Sequence, residues 1–185
     1  MYTLYHFPLC PFSRQVRIVL KEKDVPFDLV LENYWERRPE FARLNPAMAV
    51  PVLVEEDGSH LSESTAICEY INEIYPDKSF IGDTPHHRAE IRRLVCWFNQ
   101  KFFHEVTNYI LSQRVLCFYT GTSETSSGSI RAAKANITYH LDYIAFLMRN
   151  RKWLAGESLS LADIAAASQL SVLDYLGDEY HDVEP

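Results

Sequence analysis

Leu9-Cys10-Pro11-Phe12-Ser13-Arg14 stands between an apolar run, Tyr2 to Phe7, and a helical pattern carried by Val16, Ile18, Val19 and Leu20. A cysteine directly ahead of a proline in that setting occupies the N-cap, with Pro11 at the first helical position. Exposed N–H groups and the positive end of the helix dipole favour a thiolate there. Arg14 and Arg17 add positive charge, so the spacing predicts a Cys10 pKa below the free value of about 8.5. Such a thiolate could attack a disulfide or an electrophile, and Ser13 cannot serve as its resolving thiol. The alternative is a cysteine that merely fills a cap position, and the local sequence does not choose between them.

Two more segments bear on the same chemistry. If the Val50-Pro51 bond is cis, the Val50 N–H and C=O turn outward and could pair with an extended peptide as an added strand does. A trans proline on an edge strand is the alternative. Glu63-Ser64 opens a helix, where backbone N–H groups and the serine hydroxyl could hold a carboxylate. Taken alone, Ser64 is a helix cap through Tyr75.

The elements that must position these residues follow from periodicity. Tyr2 to Phe7 and Phe27 to Leu31 read as strands around a helix that runs to about Lys23. Val50 to Val54 returns through the turn Glu56-Asp57-Gly58-Ser59 to His60-Leu61. Ile67, Cys68, Ile71 and Ile74 then keep helical spacing. The order is βαβ(α)ββα, a thioredoxin-like arrangement over residues 1–76. A Pro/Gly/Asp-rich linker over 77–85 precedes an all-helical part over 86–185. There Ile91, Leu94, Val95, Phe98, Phe102, Val106 and Tyr109 form one stripe, and Ile130, Ala133, Ile137, Leu141, Ile144 and Met148 another. Thr120 to Ser129 is low in complexity and predicts a loop. Ser160-Leu161-Ala162-Asp163 announces a last helix through a capping pattern that ends near Gly177. No closing helix follows, which predicts a longer natural protein.

Composition narrows the function classes. A net charge of −7 and a pI near 5.5 argue against a non-specific grip on nucleic acid or anionic lipid. No stretch reaches the roughly 18 apolar residues of a membrane span. Four cysteines without a CxxC pair suit a reducing compartment, so a cytoplasmic place is expected. Cys68 and Cys96 read as buried structural thiols. His86-His87 are sequence neighbours that point apart on a helix, and His104 with Glu105 and His140 with Asp142 read as helix-surface or interface residues, so no metal site is expected.

Cys10-Pro11, Val50-Pro51 and Glu63-Ser64 in this order, with Ser160-Leu-Ala-Asp163 about 100 residues after Ser64, resemble the glutathione transferase family over essentially the whole chain. The resemblance implies that glutathione is the ligand. Val50 beside cis-Pro51 would pair with its cysteinyl backbone, Glu63 and Ser64 would hold its γ-glutamyl end, and Cys10 would face its sulfur. It further implies a structural role for Ser160 and Asp163, and it makes Tyr2 and Tyr5 strand residues rather than sulfur-activating tyrosines. Cys10-Pro11-Phe12-Ser13 looks like the cysteine-type classes, which favour thiol transfer and reduction.

Tyr34-Trp35-Glu36-Arg37-Arg38, Arg92 to Phe98, Lys101 to Thr107, Tyr139 to Ile144 and Trp153-Leu154-Ala155-Gly156 are similar to a narrower group, the glutathione-transferase-like cell-division proteins of alphaproteobacteria that bind FtsZ. That likeness implies a homodimer that binds FtsZ filaments with weak or absent catalysis. Trp35 would be among its partner-binding residues. The group commonly carries serine where Cys10 stands, so a glutathione-dependent transferase or thiol reductase using Cys10 is the other expectation.

Overall fold

The computed structural model describes residues 1–121 and 127–176. β1 (Tyr2–His6) runs parallel to β2 (Phe27–Leu31) in the register Tyr2 to Phe27 through His6 to Leu31. β3 (Val52–Val54) lies antiparallel on its other side, and β4 (His60–Ser62) pairs with β3 in turn. The sheet order is therefore β2-β1-β3-β4. The parallel pair is joined by α1 (Pro11–Glu22), the crossover such a pair requires. A single 3-10 turn, Tyr34–Glu36, and α2 (Pro39–Leu44) follow β2, and α3 (Ser64–Ile74) follows β4. This is the expected thioredoxin-like layer, with Leu4 and Leu53 of the central strands fully buried.

The helical part begins at α4 (Pro85–Cys96), whose N-cap Thr84 accepts from the His87 N–H. The same rod continues through wide π-type turns at Trp97–Thr107, α5 (Asn108–Leu111), a second wide stretch at Ser112–Leu116, and α6 (Cys117–Thr120). It ends at Gly121, whose φ of 68° is the left-handed conformation that favours glycine at a helix C-terminus. α7 (Ser127–Met148) and α8 (Leu161–Tyr175) complete the layer. Of the expected loop over 120–129, Thr120 ends one helix and residues 127–129 begin the next, while its centre, 122–126, lies outside the described residues. The expected stop at Gly177 also lies outside them. The last helix closes at Leu176, whose N–H reaches Val172 O.

The stripe on the first long helix holds from Ile91 to Val106 and fails only at Tyr109, which is 40% exposed. On α7 the buried face is Ala133, Ile137, His140 and Leu147, with Ile144 half-buried, whereas Met148 is exposed. The spacing of 4, 3, 4 and 3 along that face is regular, and it passes through a histidine that a purely apolar count skips. Ile74 is likewise exposed, while Asn72 of the same helix is buried and its amide oxygen accepts the Phe80 N–H at 2.8 Å. Cys68 is buried as expected, but Cys96 is exposed at the end of α4.

Two connections fix the layers to each other. Gln15 of α1 and Asn99 of the long helix exchange amide hydrogen bonds in both directions, and Asn99 also donates to Thr65 Oγ1. The Lys23 ammonium, just past α1, donates to the carbonyls of Tyr75, Asp77 and Lys78 and lies 5.0 Å from the Phe80 ring centroid. The segment between α3 and α4 is thereby held against the end of α1. At the head of α8, Asp163 accepts from the N–H and hydroxyl of Ser160 at 3.0 and 2.8 Å, and from the Leu154 N–H at 2.8 Å.

Candidate functional site

Cys10 is the N-cap of α1 with Pro11 at its first position. The chain reaches it through a tight turn in which the Cys10 N–H donates to Phe7 O. The Val50-Pro51 bond is cis, and Val50 approaches Cys10 across the sheet so that the thiol donates to Val50 O at 3.7 Å. The carbonyl expected to face a ligand is therefore turned to the cysteine.

Burial decides the state of that sulfur. Cys10 is 7% exposed and packs among Phe7, Phe41, Val50, Leu111 and Val172. Removal from water pushes its pKa up, because the charged thiolate loses most. The Ser13 backbone and hydroxyl, the Phe12 backbone and the Arg17 charge pull the other way without prevailing. This corrects the sequence expectation of a lowered pKa. The two arginines are turned elsewhere. Arg14 Nε and Arg17 Nη2 both donate to Pro8 O, at 3.1 and 3.0 Å, and Arg14 Nη1 donates to Ser171 Oγ. Tyr34 stands over the same pocket, and burial followed by the charge of Cys10 pushes its phenol up to about 12.

Ser13 is fully buried, and its hydroxyl accepts the Phe7 N–H at 3.4 Å, so it serves the turn around Cys10. Glu63, not Ser64, is the N-cap of α3; it adopts φ 72°, and Ser64 is the first helical residue. Two small cavities meet along Phe12, Ala49 and Val50. One, about 240 Å³, is lined by Pro51, Glu63, Ser64, Thr65 and Asn99 as well. The other, about 180 Å³, adds Cys10, Tyr34, Phe103 and Leu111. Cys10, Val50, Pro51, Glu63 and Ser64 are thus assembled in one cleft at the seam of the two layers.

Phe12, Phe103 and Asn99 belong to this cleft and were not singled out from sequence. Phe12 meets Phe103 of the long helix with the ring centroids 4.7 Å apart and the planes tilted by 58°. The available signal was Asn99, a polar residue between the apolar positions Phe98 and Phe102. Trp35, the partner-binding candidate, is packed at the rim. It is half-buried, meets Phe7 edge-on at 5.1 Å and stacks on Tyr119 at 4.8 Å. Ser160 and Asp163 lie at the head of α8, away from the cleft.

His140 is not a surface residue either. It is fully buried on α7, accepts from Trp97 Nε1 at Nδ1 and meets the Glu105 carboxylate at 3.1 Å. Burial lowers its pKa while Glu105 raises it, with burial the larger cause. The neutral ring with hydrogen on Nε2 satisfies both contacts. Among the described residues no group of His, Cys, Asp and Glu is arranged to hold a metal ion, and no helix is long and apolar enough to cross a membrane.

Residues 4–79 match the family described as glutathione S-transferase, N-terminal domain, and residues 108–179 match glutathione S-transferase, C-terminal domain. FtsZ-localized protein A of Caulobacter vibrioides is 43% identical over 179 residues, which are 95% of this chain and 78% of that protein. The solved structure of FzlA from C. crescentus superposes with a TM-score of 0.91 at 43% identity, covering 97% of this chain and 80% of that one. A glutathione S-transferase from Rhodospirillum rubrum F11 superposes with a TM-score of 0.93 at 45% identity over 98% of this chain and 82% of its own.

Proposed function

This chain belongs to the glutathione S-transferase family, and from that premise we propose that it acts as a dimeric, cytoplasmic cell-division factor that binds FtsZ filaments, with weak or no catalysis. The observation that carries the reading is the state of Cys10. A buried thiol that keeps its proton and donates to Val50 O is a poor nucleophile in a cleft of this family. The likeness to FtsZ-localized protein A over both layers supports a scaffold turned to filament binding. Trp35, backed by Phe7 and Tyr119, is an aromatic held rigid at the protein's rim, the kind of residue that anchors an interface at low entropic cost. The domain boundary falls in the segment 77–85, and dimerisation uses apolar helix faces of the first domain and the start of the long helix that runs from Arg88 to Leu111.

A second reading is favoured by a separate observation: Val50, cis-Pro51, Glu63 and Ser64 line one cavity whose neighbour contains Cys10. Glutathione would lie against these residues, and Cys10 would act in thiol transfer once deprotonated. Co-sedimentation with polymerised FtsZ separates the two readings. Filament binding predicts that the chain pellets with FtsZ, that Trp35→Ala weakens pelleting and that Cys10→Ala leaves it unchanged. No pelleting, together with glutathione binding in a calorimeter that Cys10→Ala weakens, would favour the enzyme.

A further inference from the structure

A concavity of about 830 Å³, larger than either cavity of the cleft, lies outside the cleft on the flank of the sheet where α1 faces β2. Among the described residues β2 is an edge strand, with β1 on one side and no strand on the other. Phe27 and Leu29, two residues apart and so on one face, form an apolar wall of the groove. Leu29 is 48% exposed, and Leu31, the next residue on that face, is 58% exposed. Across from them α1 sets out Arg14, Arg17 and Lys21, spaced three and four residues and so along one helix face. That row spans about 10 Å at the rise of an α-helix.

Among the described residues these cations have no counter-ion. The arginines donate to neutral oxygens of Pro8 and Ser171, and Lys21 Nζ lies 5.4 Å from the Phe27 ring centroid. Arg17 Nε is buried with no hydrogen-bond partner. The charges of Arg14 and Arg17 repel each other, which adds to the cost of their partial burial. Glu22 is the carboxylate that lines the groove, and it leaves an excess of positive charge. In a chain of net charge −7, three clustered cations over an apolar wall are complementary to an anion supplied by another molecule.

We propose that this groove binds an extended acidic and apolar peptide segment of a partner protein, its carboxylates on Arg14, Arg17 and Lys21 and its apolar side chains on Phe27 and Leu29. The row of cations covers three to four residues of extended chain at about 3.4 Å each, more than one small anion can use. This inference goes beyond the filament reading: the groove shares no lining residue with the cleft, and the proposed contacts on Arg14, Arg17, Lys21, Phe27 and Leu29 do not include Trp35, although Phe7 and Tyr119, which back Trp35, line the groove too.

The test is fluorescence anisotropy of the full chain with a short fluorescein-labelled peptide alternating glutamate and leucine, beside peptides alternating glutamine and leucine or glutamate and serine. The glutamate and leucine peptide is expected to bind, weakening as salt rises, and each control to bind on the order of tenfold less. Arg17→Glu and, separately, the exposed Lys21→Glu are expected to weaken it by a similar factor. Lys21→Glu keeps the test decisive if Arg17→Glu fails to fold, because the Lys21 side chain makes no hydrogen bond or ion pair among the described residues. Equal binding of the glutamine peptide, indifference to Lys21→Glu, or tighter binding of single-stranded DNA than of the acidic peptide would each overturn the proposal.

Discussion

At the scale of single residues, one sulfur turns on the balance between position and burial. Its place at a helix N-terminus argues for a thiolate, and its surroundings argue more strongly for a thiol. Iodoacetamide at neutral pH is therefore expected to label the exposed Cys96 before Cys10, with mass spectrometry of the peptides as the readout. Cys10 labelling is expected to accelerate only as pH rises past the ordinary thiol range; faster labelling of Cys10 than of Cys96 would sink this account. The sign for stability follows from linkage. The folded pKa is raised, so this contribution is fully present below the unfolded thiol's pKa and declines as pH rises through the folded value. Cys68, pushed up by burial and by Glu69, acts in the same direction. The identity and grouping of Cys10, Val50, Pro51, Glu63 and Ser64 were legible in the chain, because caps and prolines have local signatures. The raised pKa was not, since it comes from burial, and the cluster that buries Cys10 draws on residues as distant in sequence as Leu111 and Val172.

At the scale of elements, local chemistry and distant packing part company in the same way. The capping pattern at Ser160-Asp163 forecast the head of α8 correctly, but nothing local forecast that the Asp163 carboxylate would also take the Leu154 N–H. Asp163→Ala is therefore expected to cost more than a lone cap, about 2 kcal/mol, because it frees a backbone donor in a neighbouring segment as well. Urea denaturation checks this, and a loss no larger than that of Ser160→Ala would show the second contact to be idle. His140 teaches the complementary lesson. A histidine inside an apolar stripe reads as surface until Trp97 and Glu105, contributed by another helix, give both ring nitrogens a partner. Strands and the first helices were legible from period and turn residues. The wide turns at Trp97–Thr107 carry no local sequence mark that sets them apart from an ordinary helix.

At the scale of the whole molecule, the two layers meet through polar contacts as well as apolar ones. The reciprocal amide pair of Gln15 and Asn99 is buried on the Gln15 side, so removing either partner strands the other. Gln15→Ala or Asn99→Ala alone is expected to cost about 1–3 kcal/mol, and the double variant distinctly less than the sum, as a double-mutant cycle in urea would show. Additive losses would mean that the two amides do not act together. The grip of Lys23 on the carbonyls of Tyr75, Asp77 and Lys78 carries a different consequence. Connecting segments rich in proline and glycine are where proteases ordinarily cut, because the backbone there can be lifted into an active site. Here the Lys23 ammonium ties that backbone to the end of α1, and Lys78 Nζ reaches back to Glu22 O. Trypsin is therefore expected to cut the bond after Lys78 slowly in brief digestion and faster in Lys23→Ala, the difference in rate measuring how far one side chain guards the connection.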